Sequence, residues 1–249
     1  MMNDAAGFPY AGARMQHRYG RRPADATWQQ LARIEDFGHL IQTVRTTALE
    51  PWITDFGGSV DVHRIESGLR ERYRQEVDEV AGWLPHGWSG AAAWLRWLPD
   101  LAAIAHVRRG RPVKGWMLDD PLMRDLAGTA PPGENRPAGL SELLEVPAEE
   151  MGTAELWIEA WQRRWPAAGA AQRPALAAVA RAVRRLAGLS AANLDAGGEP
   201  ESVLRRIFRR HTREPAGALA YLALLHMQFR RLRGLLLRRR IGLPMASRD

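Results

Sequence analysis

The chain of 249 residues contains no cysteine. That absence removes thiolate catalysis, Cys-ligated zinc and disulfide frameworks, and it is compatible with a reducing cytoplasm. Lysine is almost missing too: of the 35 basic residues only Lys114 is a lysine. Such an arginine bias reads as coding composition rather than selection for phosphate-binding forks. No uncharged stretch reaches the roughly 20 apolar residues that a membrane crossing needs. The opening MMNDAAGFPYAGARM has neither a basic start nor a following apolar run, so it predicts no secretory signal. Sustained alternation of β-branched residues is also lacking, which leaves a sheet without local support. Gly-x-Ser-x-Gly, the Walker phosphate loop and the dinucleotide fingerprint are absent as well. The residues therefore predict no enzyme, no catalytic residue, no cofactor and no metal site.

What remains is charge and helical periodicity. A formal net charge of +7 and a pI near 10.7 create a positive field that suits nucleic acid, anionic lipid head groups or an acidic protein. A chain this long buries roughly 70–75% of its unfolded surface, enough to fold without metal or disulfides.

Thr27 and Gln30 form a capping-box pattern ahead of Leu31, Ile34, Phe37, Leu40, Ile41 and Val44, predicting one helix that ends near Glu50 before Pro51. Asp61 is placed to cap a second, whose apolar face is Ile65, Leu69, Tyr73, Val77 and Val80. Ser89 is the expected cap of a third through Trp94, Leu98 and Ile104, with a kink or two shorter helices meeting at Pro99. Asp119-Asp120-Pro121 reads as the capped start of a short helix. The run from Gly128 to Gly139 is a loop by composition. Further helices are expected over Leu140 to Leu144, Pro147 to Trp165, Pro174 to Leu189 and around Val203 to Phe208, with Glu149-Glu150 near a helix start. The prediction is all-α, with an N-terminal helical unit at 1–128, a linker at 129–139 and a C-terminal unit at 140–249, or one compact domain. Ala91 to Pro112 and Ala218 to Pro244 share an order of apolar helix, arginines, glycine and proline, which suggests a duplicated helical unit.

His63 and Glu66 stand one turn apart as a candidate metal or acid/base pair, yet the spacing equally suits a surface helix pair, the favoured reading. His226 is expected to pack in the core. The ten tryptophans are expected to pack between helices rather than stack bases, because no nucleic-acid-binding motif organises the arginines around them.

The last helix, Pro215 to Pro244, carries the clearest pattern. Ala218, Leu222, Leu225, Phe229, Leu232 and Leu236 form a seam, with Arg230, Arg231, Arg233, Arg238, Arg239 and Arg240 outside it, complementing the helix dipole. Gly242 and Pro244 predict its stop.

Pro215, Ala220-Tyr221-Leu222, Leu232-Arg233 and Arg240-Ile241-Gly242-Leu243-Pro244 resemble the C-terminal signature of the V-type ATPase C/d family of central-stalk socket proteins. Tyr10-Ala11-Gly12-Ala13-Arg14 is similar to that family's opening Tyr-x-x-Ala-Arg, and Ile65-Glu66 with Leu69 to its Ile-Glu-x-x-Leu helix. The resemblance, to a short and divergent member, implies an all-helical, pseudo-repeated funnel. It implies a non-catalytic coupling or adaptor subunit of a rotary ATPase active in ion transport, joining the membrane rotor ring to the central stalk. Its place would be cytoplasmic, peripheral to the membrane through its partners, with the six terminal arginines as the partner-binding set. Two other readings stay open: an adaptor of another assembly that uses the same fold, and a basic helical nucleic-acid-binding protein, the less favoured.

Overall fold

The computed structural model describes residues 7–120, 123–124, 140–188 and 198–242. Every regular element among them is a helix. The expected loop from Gly128 to Gly139, the proline of Asp119-Asp120-Pro121 and the closing Leu243-Pro244 lie outside the described residues.

α1 spans Gly7–Gly20, a stretch that apolar spacing alone leaves unassigned. Phe8 and Met15 are the only large side chains among its buried residues, the others being Ala11 and Gly12. The helix expected from Thr27 onward is two helices, α2 at Asp25–Arg33 and α3 at Phe37–Arg45. Thr27 does not cap; α2 begins at Asp25 without a side-chain cap. The break arises because Ile34 turns extended and the Asp36 carboxylate accepts from the His39 amide at 2.7 Å, starting a new helix. α3 stops at Arg45, short of Glu50. There the Thr46 and Thr47 hydroxyls donate to the carbonyls of Thr43 and Val44 at 2.8 and 2.7 Å, satisfying groups that would otherwise call for another turn. A single 3-10 turn, Glu50–Trp52, follows.

α4, Val62–Trp83, is capped by Asp61 as expected, its carboxylate accepting from the Arg64 amide at 2.9 Å. α5, His86–Ala93, begins directly after Pro85, so Ser89 is inside a helix rather than at its start. The Trp94–Asp100 stretch is 3-10 and α6 runs Leu101–Arg108; Pro99, whose missing N–H removes a helical bond, lies inside the 3-10 stretch that separates α5 from α6 rather than at a junction of two helices. α7 is Gly115–Asp119 and α8 Leu140–Glu145. α9, Thr153–Arg163, starts later than Pro147, leaving Glu149 and Glu150 in exposed turns. α10 is Arg173–Gly188, α11 Gly198–Arg210 and α12 Pro215–Arg240.

α12 is the axis of the fold, packing on α11, α4, α1 and α10. The seam leucines are buried, but so is every residue from Pro215 to His226. A helix covered all round cannot be recognised by one apolar face, and small residues make the enclosure possible. A Cβ on Gly217 would stand 2.0 Å from the His211 carbonyl oxygen, and one on Gly12 of α1 would stand 2.4 Å from that of Thr212. Both helices therefore close on the same turn. α12 ends where Gly242 takes a positive φ of 71°, the left-handed stop expected there.

One apolar core runs from Phe8 through to Leu236, across both expected units. Within it the tryptophans pack between helices. Trp94 stacks on Trp157 and Trp157 on Trp161, while Trp161 meets Trp165 edge-on with centroids 5.0 Å apart. The Trp161 indole donates to the Ala91 carbonyl at 2.8 Å and that of Trp94 to the Trp157 carbonyl at 3.2 Å, so α9 is keyed to α5 and to the 3-10 stretch by both area and direction. No described helix is long and apolar enough to cross a membrane.

Candidate functional site: a cationic cleft beside a buried ion-pair chain

The six terminal arginines do not form one surface. Arg230 donates to the Leu186 carbonyl of α10 at 3.3 Å. Arg231 pairs with Asp25 of α2 at 3.2 Å and lies over Trp28. Arg233 grips Glu66 of α4 through two nitrogens, Nε to Oε2 at 2.7 Å and Nη2 to Oε1. Arg239 donates to the Ala32 carbonyl at 2.6 Å, and Arg240 to that of Ser59 at 3.4 Å while lying over Phe37. Five of the six thus tether the second half of α12 to α2, α4, α10 and the segment at Ser59. The helical period sends consecutive arginines in different directions, so a run in sequence becomes a collar in space.

Glu66 leads inward. Arg70 lies one turn on, 3.6 Å from Glu66 and, through Nε, 3.6 Å from Oδ1 of Asp100. Asp100 is wholly buried at the end of the 3-10 stretch, and Arg74 donates to its Oδ2 at 2.8 Å. Arg74 also reaches both oxygens of Asp120 at 3.2 and 3.0 Å. Charge therefore alternates along Arg233, Glu66, Arg70, Asp100, Arg74 and Asp120, from α12 through α4 to the end of α7. Burial disfavours the Arg74 cation, but Asp100 and Asp120 outweigh it and hold the guanidinium charged; burial pushes the Asp100 carboxyl up against the pull of Arg74 and Arg70. Asp120 thus has a use that a cap for the following segment does not describe. Glu66, Asp100 and Asp120 thus each face at least one guanidinium.

The His63–Glu66 pair does not assemble. His63 is exposed, while Glu66 is turned to Arg233 and Arg70. No group of three His, Asp or Glu suited to a metal occurs among the described residues. His226 is buried as expected, edge-on to Tyr73 and stacked on Phe229, with its Nδ1 unpartnered. Burial, then the charges of Arg230 and Arg233, hold its pKa well below 6.5, so it is neutral.

Apolar patterning did not point to a cleft of about 760 Å³ between α1, the Thr47–Trp52 segment, α4 and α12. Five arginines line it, Arg14, Arg18, Arg21, Arg22 and Arg72, against the glutamates Glu50 and Glu76. On α1 the lining residues Tyr10, Ala13, Arg14, His17 and Arg18 recur every three or four positions, one face of the helix, with Arg21 in the turn that follows, while Phe8, Ala11 and Met15 turn to the core. Arg18 pairs with Glu76 at 2.7 Å and Glu79 at 2.6 Å, and Arg72 also holds Glu76. Arg14 and Arg18 both lie over Trp83, at 4.4 and 4.7 Å. The opposite wall is Tyr221, Leu225 and Gln228 of α12. Burial first, then Glu76, push the Tyr221 hydroxyl upward, which keeps it a neutral donor. The signal that could have exposed this face is the spacing of basic residues at 14, 18, 21 and 22, legible once that stretch is taken as a helix.

No protein-family model, no curated protein and no solved structure matches this chain.

Proposed function

We propose that the protein is a non-catalytic coupling or adaptor subunit of a V-type-like rotary ATPase, linking the membrane rotor ring to the central stalk from the cytoplasmic face. The observation that supports this reading is the meeting of the three stretches that resemble the C/d family. Tyr10, Ala13 and Arg14 from the first face Tyr221 from the last across one cleft. Glu66 from the second closes on Arg233 from the last. Residues far apart in sequence thus form one connected unit around α12.

The physical character fits a load-bearing part. α12 is enclosed by helices along its first half and tied by ion pairs and carbonyl contacts along its second, and the charged groups of the interior neutralise one another rather than face a reactant. The test is affinity purification of the intact protein from native membranes under gentle detergent. Co-recovery of ring, stalk or head proteins of a rotary ATPase supports the proposal. Recovery without any of them, or with a different stable assembly, rejects it.

A further inference from the structure

Two arginines in the turn after α1 differ from their neighbours. Arg14, Arg18 and Arg72 each have a carboxylate within 4 Å. Arg21 and His17 line the same cleft with no side-chain hydrogen bond or ion pair among the described residues. Arg22 donates from Nε to the Gln228 amide oxygen at 2.9 Å and from Nη2 to the Leu224 carbonyl at 3.1 Å, both neutral acceptors. Its Nη1 has no bond to a described residue. The carboxylate whose charge reaches it, Glu201, is itself held by Arg205 at 2.5 Å.

A second partly buried arginine shows that neutral acceptors alone need not signal a ligand. Arg108 donates to Thr153 and to the carbonyls of Val146, Pro147 and Met151. Both its terminal nitrogens are occupied, so its role is to hold the turn before α9. Arg22 is held at two nitrogens in the same way, but it lines a cleft already rich in positive charge. Burial lowers the pKa of Arg22, a cost that an anion in the cleft would offset.

We propose that the cleft between α1, α4 and α12 is a binding site for a phosphate-bearing anion, gripped by Arg21 and the free Nη1 of Arg22, with Arg14 and His17 at its rim. Guanidinium forks match phosphate oxygens in pairs, and the neutral hydroxyl of Tyr221 lines the same space. The volume of about 760 Å³ suits a small molecule or a single headgroup. The carboxylates Glu50 and Glu76 in the same lining disfavour an extended acidic peptide that fills the cleft. This site goes beyond the coupling role and does not depend on it.

Pyrophosphate titrated calorimetrically into the full chain at low salt is the probe. Saturable binding to one site is expected, weakened about tenfold by Arg21→Gln and at least as much by Arg22→Gln, and unchanged by Arg181→Gln on the exposed side of α10. Arg21 has no partner to lose, so its variant keeps the test decisive if Arg22→Gln fails to fold. A second arm uses phosphatidylcholine vesicles carrying phosphatidylinositol 4-phosphate. Cosedimentation lost in Arg21→Gln assigns a lipid headgroup as the source, while pyrophosphate binding without vesicle binding assigns a soluble ligand. The proposal is overturned by no saturable binding in either arm, by equal weakening in Arg181→Gln, or by polyglutamate binding where pyrophosphate does not.

Discussion

Arg233 of α12 donates from Nε to Oε2 of Glu66 on α4 at 2.7 Å, joining residues 167 positions apart. Both side chains are mostly buried, so the pair is screened less than a surface ion pair and supports the helix that organises the fold. Arg233→Met is expected to lower stability by about 1–3 kcal/mol, since Glu66 keeps only the longer contact to Arg70. In a double-mutant cycle with Glu66→Gln, read by urea denaturation, the combined loss should fall short of the sum of the single losses by about 1 kcal/mol. Additive losses would show that the pair does not act as a unit.

Arg74 lies between Asp100 and Asp120. Its replacement by methionine leaves two buried carboxylates facing each other, and we expect a loss of about 3–5 kcal/mol. Adding Asp100→Asn should recover part of it by removing one of the two like charges. A double variant less stable than Arg74→Met alone would contradict this account.

The close approach of α1 and α12 to the turn at His211 and Thr212 has no space for a methyl group. Gly12→Ala and Gly217→Ala should each destabilise by about 1–3 kcal/mol or more, because backbone must shift. Gly82, on the exposed side of α4 with nothing within 4 Å, should respond in the opposite sense, gaining about 0.5–1 kcal/mol as alanine. Thermal midpoints of the three variants check both signs.

His226 makes stability depend on pH. Its folded pKa lies well below the ordinary 6.5, so below that pH the unfolded chain binds a proton that the folded one refuses. Its contribution is present above about pH 6.5 and is lost as pH falls toward the folded value, at up to about 1.4 kcal/mol per unit. His226→Phe preserves a ring against Tyr73 and Phe229 and removes the unpartnered Nδ1. The variant should lose less stability than the parent between pH 7 and pH 5, measured by denaturant midpoints. Parallel profiles would show that His226 does not titrate in this way.

The sequence by itself determined the helical class, the Asp61 cap, the interruption around Pro99, the span of α10 and the stop at Gly242, because each depends on groups within a turn or two of one another. It also placed the tryptophans and His226 in the core, since large side chains at helical spacing have few other destinations. Tertiary structure decided the rest. The break between α2 and α3 is set by Asp36 and by which faces reach the core, against a periodicity that runs straight through. α1 shows little apolar signal because Ala11 and Gly12 serve close approach rather than area. The enclosure of α12 erases the contrast between its faces. Most of all, the terminal arginines form a run in sequence yet diverge around the helix to separate partners, whereas Arg21, Arg22 and Gln228 meet only when α1 is laid against α12. Charge is counted along the chain, but the field that a ligand meets depends on which charges the fold has already neutralised.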